Sequence, residues 1–86
     1  MSKFIGYIYF DKERDWESYF STDPHWADND ENWYLAGEVS TLQDVHNILN
    51  EKFDDEEYVY HFIKHNISHY AYCELEKQSK NKGDTI

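Results

Sequence analysis

Residues 54–76, DDEEYVYHFIKHNISHYAYCELE, decide what kind of sheet this chain builds. Asp54 and Asp55 suit a helix N-cap, and Tyr58, Val59, Phe62, Ile63 and Ile67 then form one apolar stripe, which predicts a helix to about Asn66. The run YVYHFI also fits a strand, because periodicity does not separate the two for a short apolar run. Residues 69–76 alternate, with Ala71, Cys73 and Leu75 opposite Tyr70, Tyr72 and Glu74, and predict a closing strand.

Upstream, Ser40 or Thr41 caps a helix, with Gln43 or Asp44 completing a capping box. Leu42, Val45, Leu49 and Phe53 give that helix its stripe, with Ile48 beside it. Residues 32–39 read as a strand with Trp33, Leu35 and Val39 on one face and Tyr34, Ala36 and Glu38 on the other; Gly37 marks a bulge. Residues 21–31 form a polar loop around Pro24. Asp11 caps a short helix over residues 12–20, where Trp16, Tyr19 and Phe20 fall at i, i+3 and i+4. Residues 3–10 are aromatic and β-branched, the pattern of a central strand. The order is β-α-β-α-α-β. That is a small α+β domain over residues 1–76, a three-stranded sheet covered by helices. A disordered basic tail follows over residues 77–86, with Lys77, Lys80 and Lys82 against Asp84.

Eighty-six residues lie near the lower limit for a single core, and eight Tyr, five Phe and three Trp supply much buried area per residue. Acidic disordered chains are poor in aromatics, so the charge does not imply disorder here. Cys73 is alone and excludes an intrachain disulfide, which favours a reducing compartment. The opening residues MSKFIGYIYF lack the pattern of a signal peptide, and no stretch reaches the ~20 apolar residues of a membrane span. A soluble cytoplasmic protein is expected.

The net charge is −10, and residues 11–57 hold fifteen of the eighteen acids but three of the eight bases. Such a chain is repelled by nucleic acid and anionic membranes; its partners are basic protein surfaces or cations. Three blocks carry the charge. Asp11, Glu13, Asp15 and Glu17 form the first. The second lies in residues 23–34, DPHWADNDENWY, with Asp23, Asp28, Asp30 and Glu31 around Trp26. The third is Asp54, Asp55, Glu56 and Glu57. Taken singly, each block reads as a solvated face.

Asp28, Asp30 and Asn32 match the start of a calcium loop, but Trp33 stands where the turn requires Gly and Val39 where the bidentate Glu belongs. His61, His65 and His69 recur at i, i+4 and i+8, a ladder able to share zinc if one helix ran through all three; Glu57 pairing with His61 is the plainer account. Cys73 and His69 fall on one face of the last strand, but acidic surroundings disfavour a thiolate. No cofactor is called for. No constellation names a reaction, and an enzyme is not expected.

The stretch GEVSTLQDVHNILNEKF, residues 37–53, resembles the strand exit and first helix of barstar-type ribonuclease inhibitors in its cap, Asp44, His46 and Leu49. Barstar's tyrosine-glycine-asparagine loop is replaced by DDEEYVYHF, and thirty residues precede the stretch that the family lacks. In size and composition the chain is also similar to phage-encoded acidic inhibitors of the anti-CRISPR, anti-restriction and uracil-glycosylase inhibitor kinds.

These resemblances imply an acidic inhibitor of a basic enzyme. The expectation is a nucleic-acid mimic that blocks the binding site of a nuclease, restriction enzyme or CRISPR effector, with its carboxylates standing in for phosphates and Trp26 as an anchor. Alternatives are an immunity or antitoxin-like protein that caps a basic toxin, and a histidine-based metal-binding regulator.

Overall fold

The structure, a computed structural model, describes residues 3–14 and 17–84. The elements in order are β1 (Gly6–Asp11), β2 (Ser18–Ser21), β3 (Trp33–Val39), α1 (Leu42–Phe53), α2 (Glu56–Asn66) and α3 (His69–Asp84). The strands form one antiparallel sheet in the order β2-β1-β3. The expected α+β domain, with a three-stranded sheet covered by helices, is present.

Strand β1 is central, and Ile8 and Phe10 turn to the helices, where Phe20 and Val39 join them. Each helix adds two buried side chains to the core: Val45 and Leu49 from α1, Val59 and Phe62 from α2, Ala71 and Leu75 from α3. Burying an aliphatic or Phe side chain is worth ~1.5–3 kcal/mol, so these contacts outweigh the weak local propensities of short helices.

Helix α1 begins as expected. The Thr41 hydroxyl accepts from Asp44 N–H and the Asp44 carboxylate accepts from Thr41 N–H, a complete capping box. It ends at Asp54, whose φ of 49° places a non-glycine residue in the left-handed region. Asp55 then caps α2, its Oδ1 accepting from Glu57 and Tyr58 N–H. The ambiguous run at residues 58–63 is helical.

Two elements exchange type relative to the sequence reading. Residues 12–14 and 18–20, expected in one helix, form a turn and strand β2 instead. Asp11 does accept from the N–H groups of Glu13 (2.7 Å) and Arg14 (3.0 Å), as a cap would. The turn then closes through Asp11 N–H to Glu17 O, and residues 18–21 pair with β1, Tyr19 opposite Tyr9 and Phe20 opposite Ile8. A nine-residue helix is marginal alone, whereas pairing with a central strand satisfies the backbone and buries Phe20. Asp15 and Trp16 lie outside the described residues.

Residues 69–76, expected as a strand, open helix α3. Ala71 and Leu75 are four apart, a spacing that one strand face and one helix face share. Cys73, which a buried strand face would cover, is only half-buried. The Ser68 hydroxyl accepts from Ala71 N–H, an N-cap bond. The helix continues to Asp84 and so takes in residues 77–84, while residues 85 and 86 lie outside the described residues. Gln78 ties it back to the amino-terminal strand, accepting from Phe4 N–H (2.9 Å) and donating to the carbonyls of Phe4 and Ser40. The Ser79 hydroxyl accepts from Leu42 N–H at 3.0 Å.

Strand β3 carries its irregularity at Ala36, beside Gly37: Ile8 pairs with Gly37 but Tyr9 with Leu35. This extra residue alters the expected faces. Trp33 and Leu35 lie on the face away from the helices, while Tyr34 packs on Phe10 and Val39 enters the core.

Candidate functional site

Strands β2 and β3 both run antiparallel to β1, so they are parallel to each other. The link between them must therefore cross the sheet from one end to the other. The helices cover one face, and residues 22–32 cross the other. Tyr9 anchors the crossing, its hydroxyl donating to Asp23 O at 2.7 Å. Trp26 lies over the sheet, stacked on Tyr19 (centroids 4.4 Å, 20°) and packed against Tyr9 (5.1 Å) and Trp33 (5.3 Å). Tyr9 is consequently 1% exposed although it points away from the main core. Burial pushes the Tyr9 phenol above its ordinary value; a backbone contact with Trp26 works against this, and Asp23 and Asp28 add to the rise.

This crossing returns the chain to the end of the sheet where β1 finishes. Lys12 N–H donates to Asn32 O at 2.6 Å, joining the first acidic block to the end of the second. The third block arrives on the helices: Phe53 packs on Phe10 (5.7 Å), and the Ser18 and Tyr58 hydroxyls lie 2.7 Å apart. The β1–β2 turn with Asp11, Glu13 and Glu17, the end of the crossing at Glu31 and Asn32, and the start of α2 with residues 54–57 thus lie at one end of the sheet, whereas Asp23 is held beside Tyr9 over the sheet face. Glu51, in the last turn of α1, lies at the same end, beside Phe10 and Tyr34. Its sequence context, an ordinary helix face next to Lys52, gave no sign of this.

The individual acids differ in what they are free to do. Glu13, Glu31, Asp54 and Glu56 are exposed and make no side-chain hydrogen bond or ion pair among the described residues. Asp11 is 8% exposed and committed to the β1–β2 turn, which suits it poorly to meet a partner. Glu17 pairs with Arg14 at 3.1 Å. Asp23 accepts from His25 N–H, Asp28 pairs with the His25 ring at 2.8 Å, and Asp30 accepts from Asn32 N–H, so these three shape the crossing segment. Asp55 is a cap, and Glu56 and Glu57 sit in the first turn of α2, where the helix dipole favours negative charge. The nearby bases are Lys12, Arg14 and Lys52; Lys52 lies 4.9 Å from the Phe10 ring centroid.

Trp26 is 36% exposed and belongs to an aromatic cluster with Tyr9, Tyr19 and Trp33, not to a bare loop. Its neighbours were hidden in the sequence because Tyr19 reads there as part of a helical stripe.

The histidine ladder is broken. His61 and His65 stack on α2 (5.9 Å), but His69 starts α3 after the break at Ile67 and Ser68. Glu57 and His61 are 3.9 Å apart, the pair expected from their spacing. Among the described residues no three His, Cys, Asp or Glu side chains are grouped to hold a metal. Cys73 Sγ and His69 Nε2 approach to 3.6 Å, one helical turn apart. Among the described residues, no helix is long and apolar enough to cross a membrane. Set against protein-family models, curated proteins and solved structures, the chain matches none.

Proposed function

We propose that the protein is a small acidic inhibitor that occupies the positively charged nucleic-acid-binding site of an enzyme, such as a nuclease, restriction enzyme or CRISPR effector. The observation that supports this reading is the gathering of acids from three stretches of sequence, the β1–β2 turn, Glu31 and residues 54–57, at one end of the sheet. Self-repulsion there costs stability, and a cationic groove on a partner relieves it. Among the described residues, Glu13, Glu31, Glu51, Asp54 and Glu56 carry free carboxylates at this end, while Glu17, Asp30, Asp55 and Glu57 are engaged in local contacts. Duplex DNA carries one charge per ~1.7 Å of axis, and a protein that binds it presents Lys and Arg that such an array engages.

The test combines capture and charge reversal. The protein is immobilised, partners are eluted with stepped salt, and a variant carrying Glu13→Lys, Glu31→Lys and Glu56→Lys is run beside it. A nucleic-acid enzyme that elutes as salt rises, binds the variant at least ~10-fold more weakly, and is competed by its own nucleic acid supports the reading. An affinity unchanged by the three reversals refutes it.

The cluster of Tyr19, Trp26 and Trp33, with Tyr19 and Trp26 exposed, favours a second reading, an immunity-type protein that caps a toxin. There Trp26→Ala would dominate the loss of affinity and salt would matter little.

A further inference from the structure

Away from the acidic end, the start of α1, the end of α2 and the start of α3 enclose an open groove of about 430 Å³. That lies within the ~300–1,000 Å³ range of small-molecule sites. Leu42, Ile63 and Ile67 give it an apolar lining, to which Tyr60 and Tyr72 add aromatic surface. Its nitrogen-bearing side chains are His46, Lys64 and His69, one from each helix. No carboxylate lines it, although the chain has eighteen acids against eight bases. Among the described residues, neither His46 nor Lys64 makes a side-chain hydrogen bond or ion pair, and Cys73 Sγ is the neighbour of His69. Helices α1 and α2 carry acids in their first turns; α3, which brings His69 to the groove, carries none.

We infer that this groove binds a small organic anion, an apolar or aromatic body bearing one carboxylate, sulfonate or phosphate. The body covers the Leu42, Ile63 and Ile67 surface, and the anionic group is held by Lys64 with His46 and His69. Charge complementarity selects this occupant: a cationic ligand has no carboxylate to meet, and a neutral one leaves Lys64 unused. The groups that face the anion are His46 from α1, Lys64 and Tyr60 from α2, and His69 and Tyr72 from α3. Histidine is the side chain whose ordinary charge change falls between pH 5 and 8, so binding of an anion beside His46 and His69 tightens as pH falls from 8 to 6. The groove is distinct from the acidic end, and either site can fail without the other.

The probe is 1-anilinonaphthalene-8-sulfonate, titrated against the folded full chain at pH 6 and pH 8 by fluorescence. N-phenyl-1-naphthylamine, the same body without the sulfonate, serves as the neutral control. The expected result is one saturable site, tighter at pH 6, weakened ~10-fold or more by Lys64→Glu and by loss of the sulfonate. His69→Gln, in a second exposed position, should reduce the pH dependence while leaving the thermal melt unchanged. Equal binding of the neutral probe, or indifference to both substitutions, overturns the proposal. So does salt-sensitive self-association abolished by Lys64→Glu, which would make the acidic end of a second copy the occupant.

Discussion

The hydroxyls of Ser18 and Tyr58, forty residues apart in sequence, lie 2.7 Å from each other and join β2 to the first turns of α2. Tyr58 also packs its ring on Phe53 at 4.2 Å, so one side chain helps hold the third acidic block against the sheet. Tyr58→Phe keeps the ring and removes the hydroxyl. It should lower stability by ~0.5–1.5 kcal/mol in a urea titration, with a larger loss for Tyr58→Ala. A Tyr58→Phe variant as stable as the parent would show that the hydroxyl contributes nothing to docking α2.

Gly6 is reserved for the Phe20 ring. A Cβ there would stand 2.3 Å from Phe20 Cε1 and 3.2 Å from Val39 Cγ2. Gly6→Ala should therefore destabilise by ~1–3 kcal/mol through overpacking. Phe20→Leu in the same chain should recover part of that loss, a coupling that a double-mutant cycle reads directly. Additive losses would mean that the ring is not the obstacle.

Asp44 links acid stability to the α1 cap. Burial pushes its carboxyl up, but bonds from Ser40 N–H, Ser40 Oγ and Thr41 outweigh this and leave it below the ordinary value. A group depressed in the folded state contributes stability above its unfolded value, near pH ~4, and that contribution disappears as pH drops through the folded value. Asp44→Asn should cost ~0.5–2 kcal/mol at pH 7. The gap between variant and parent should narrow in melts below pH ~4, and a gap independent of pH would rule out the charge as its source.

Trp26 and Tyr9 make an alkaline counterpart. Because the Tyr9 phenol is raised, the folded state holds its proton more tightly than the unfolded chain. Its contribution is complete below the unfolded value, near pH ~10, and is lost as pH rises through the folded one. Trp26→Ala removes three ring contacts, each pair worth ~0.5–1.5 kcal/mol. In that variant Tyr9 should ionise nearer its ordinary value in an ultraviolet titration. If one tyrosine resists ionisation equally in both proteins, Trp26 is not what shields it.

Local signals in the chain accounted for α1, α2 and the central strand. The capping box of Thr41 and Asp44, the Asp55 cap, and the stripes through Val45, Leu49, Val59 and Phe62 are settled by neighbours within one or two turns. The same signals misread residues 12–20 and 69–76. Tyr19 and Phe20 fit a helix stripe or a strand alternation, and Ala71 and Leu75 fit both, so the deciding interactions had to come from elsewhere. For β2 they came from the β1 ladder; for α3 they came from Phe4, Ser40 and Leu42, which meet Gln78 and Ser79 across the molecule.

By itself the sequence determined the charge, its three acidic blocks, the apolar stripes of α1 and α2 and the α+β class, because composition and short-range periodicity are properties of neighbouring residues. Only the tertiary structure decided that the β1–β2 turn, Glu31 and the start of α2 share one end, that Trp26 lies over Tyr9 and Tyr19, and that His46, Lys64 and His69 face one groove. Each of those depends on strand order and helix docking, where contacts between residues tens of positions apart compensate the loop entropy that local preference cannot offset.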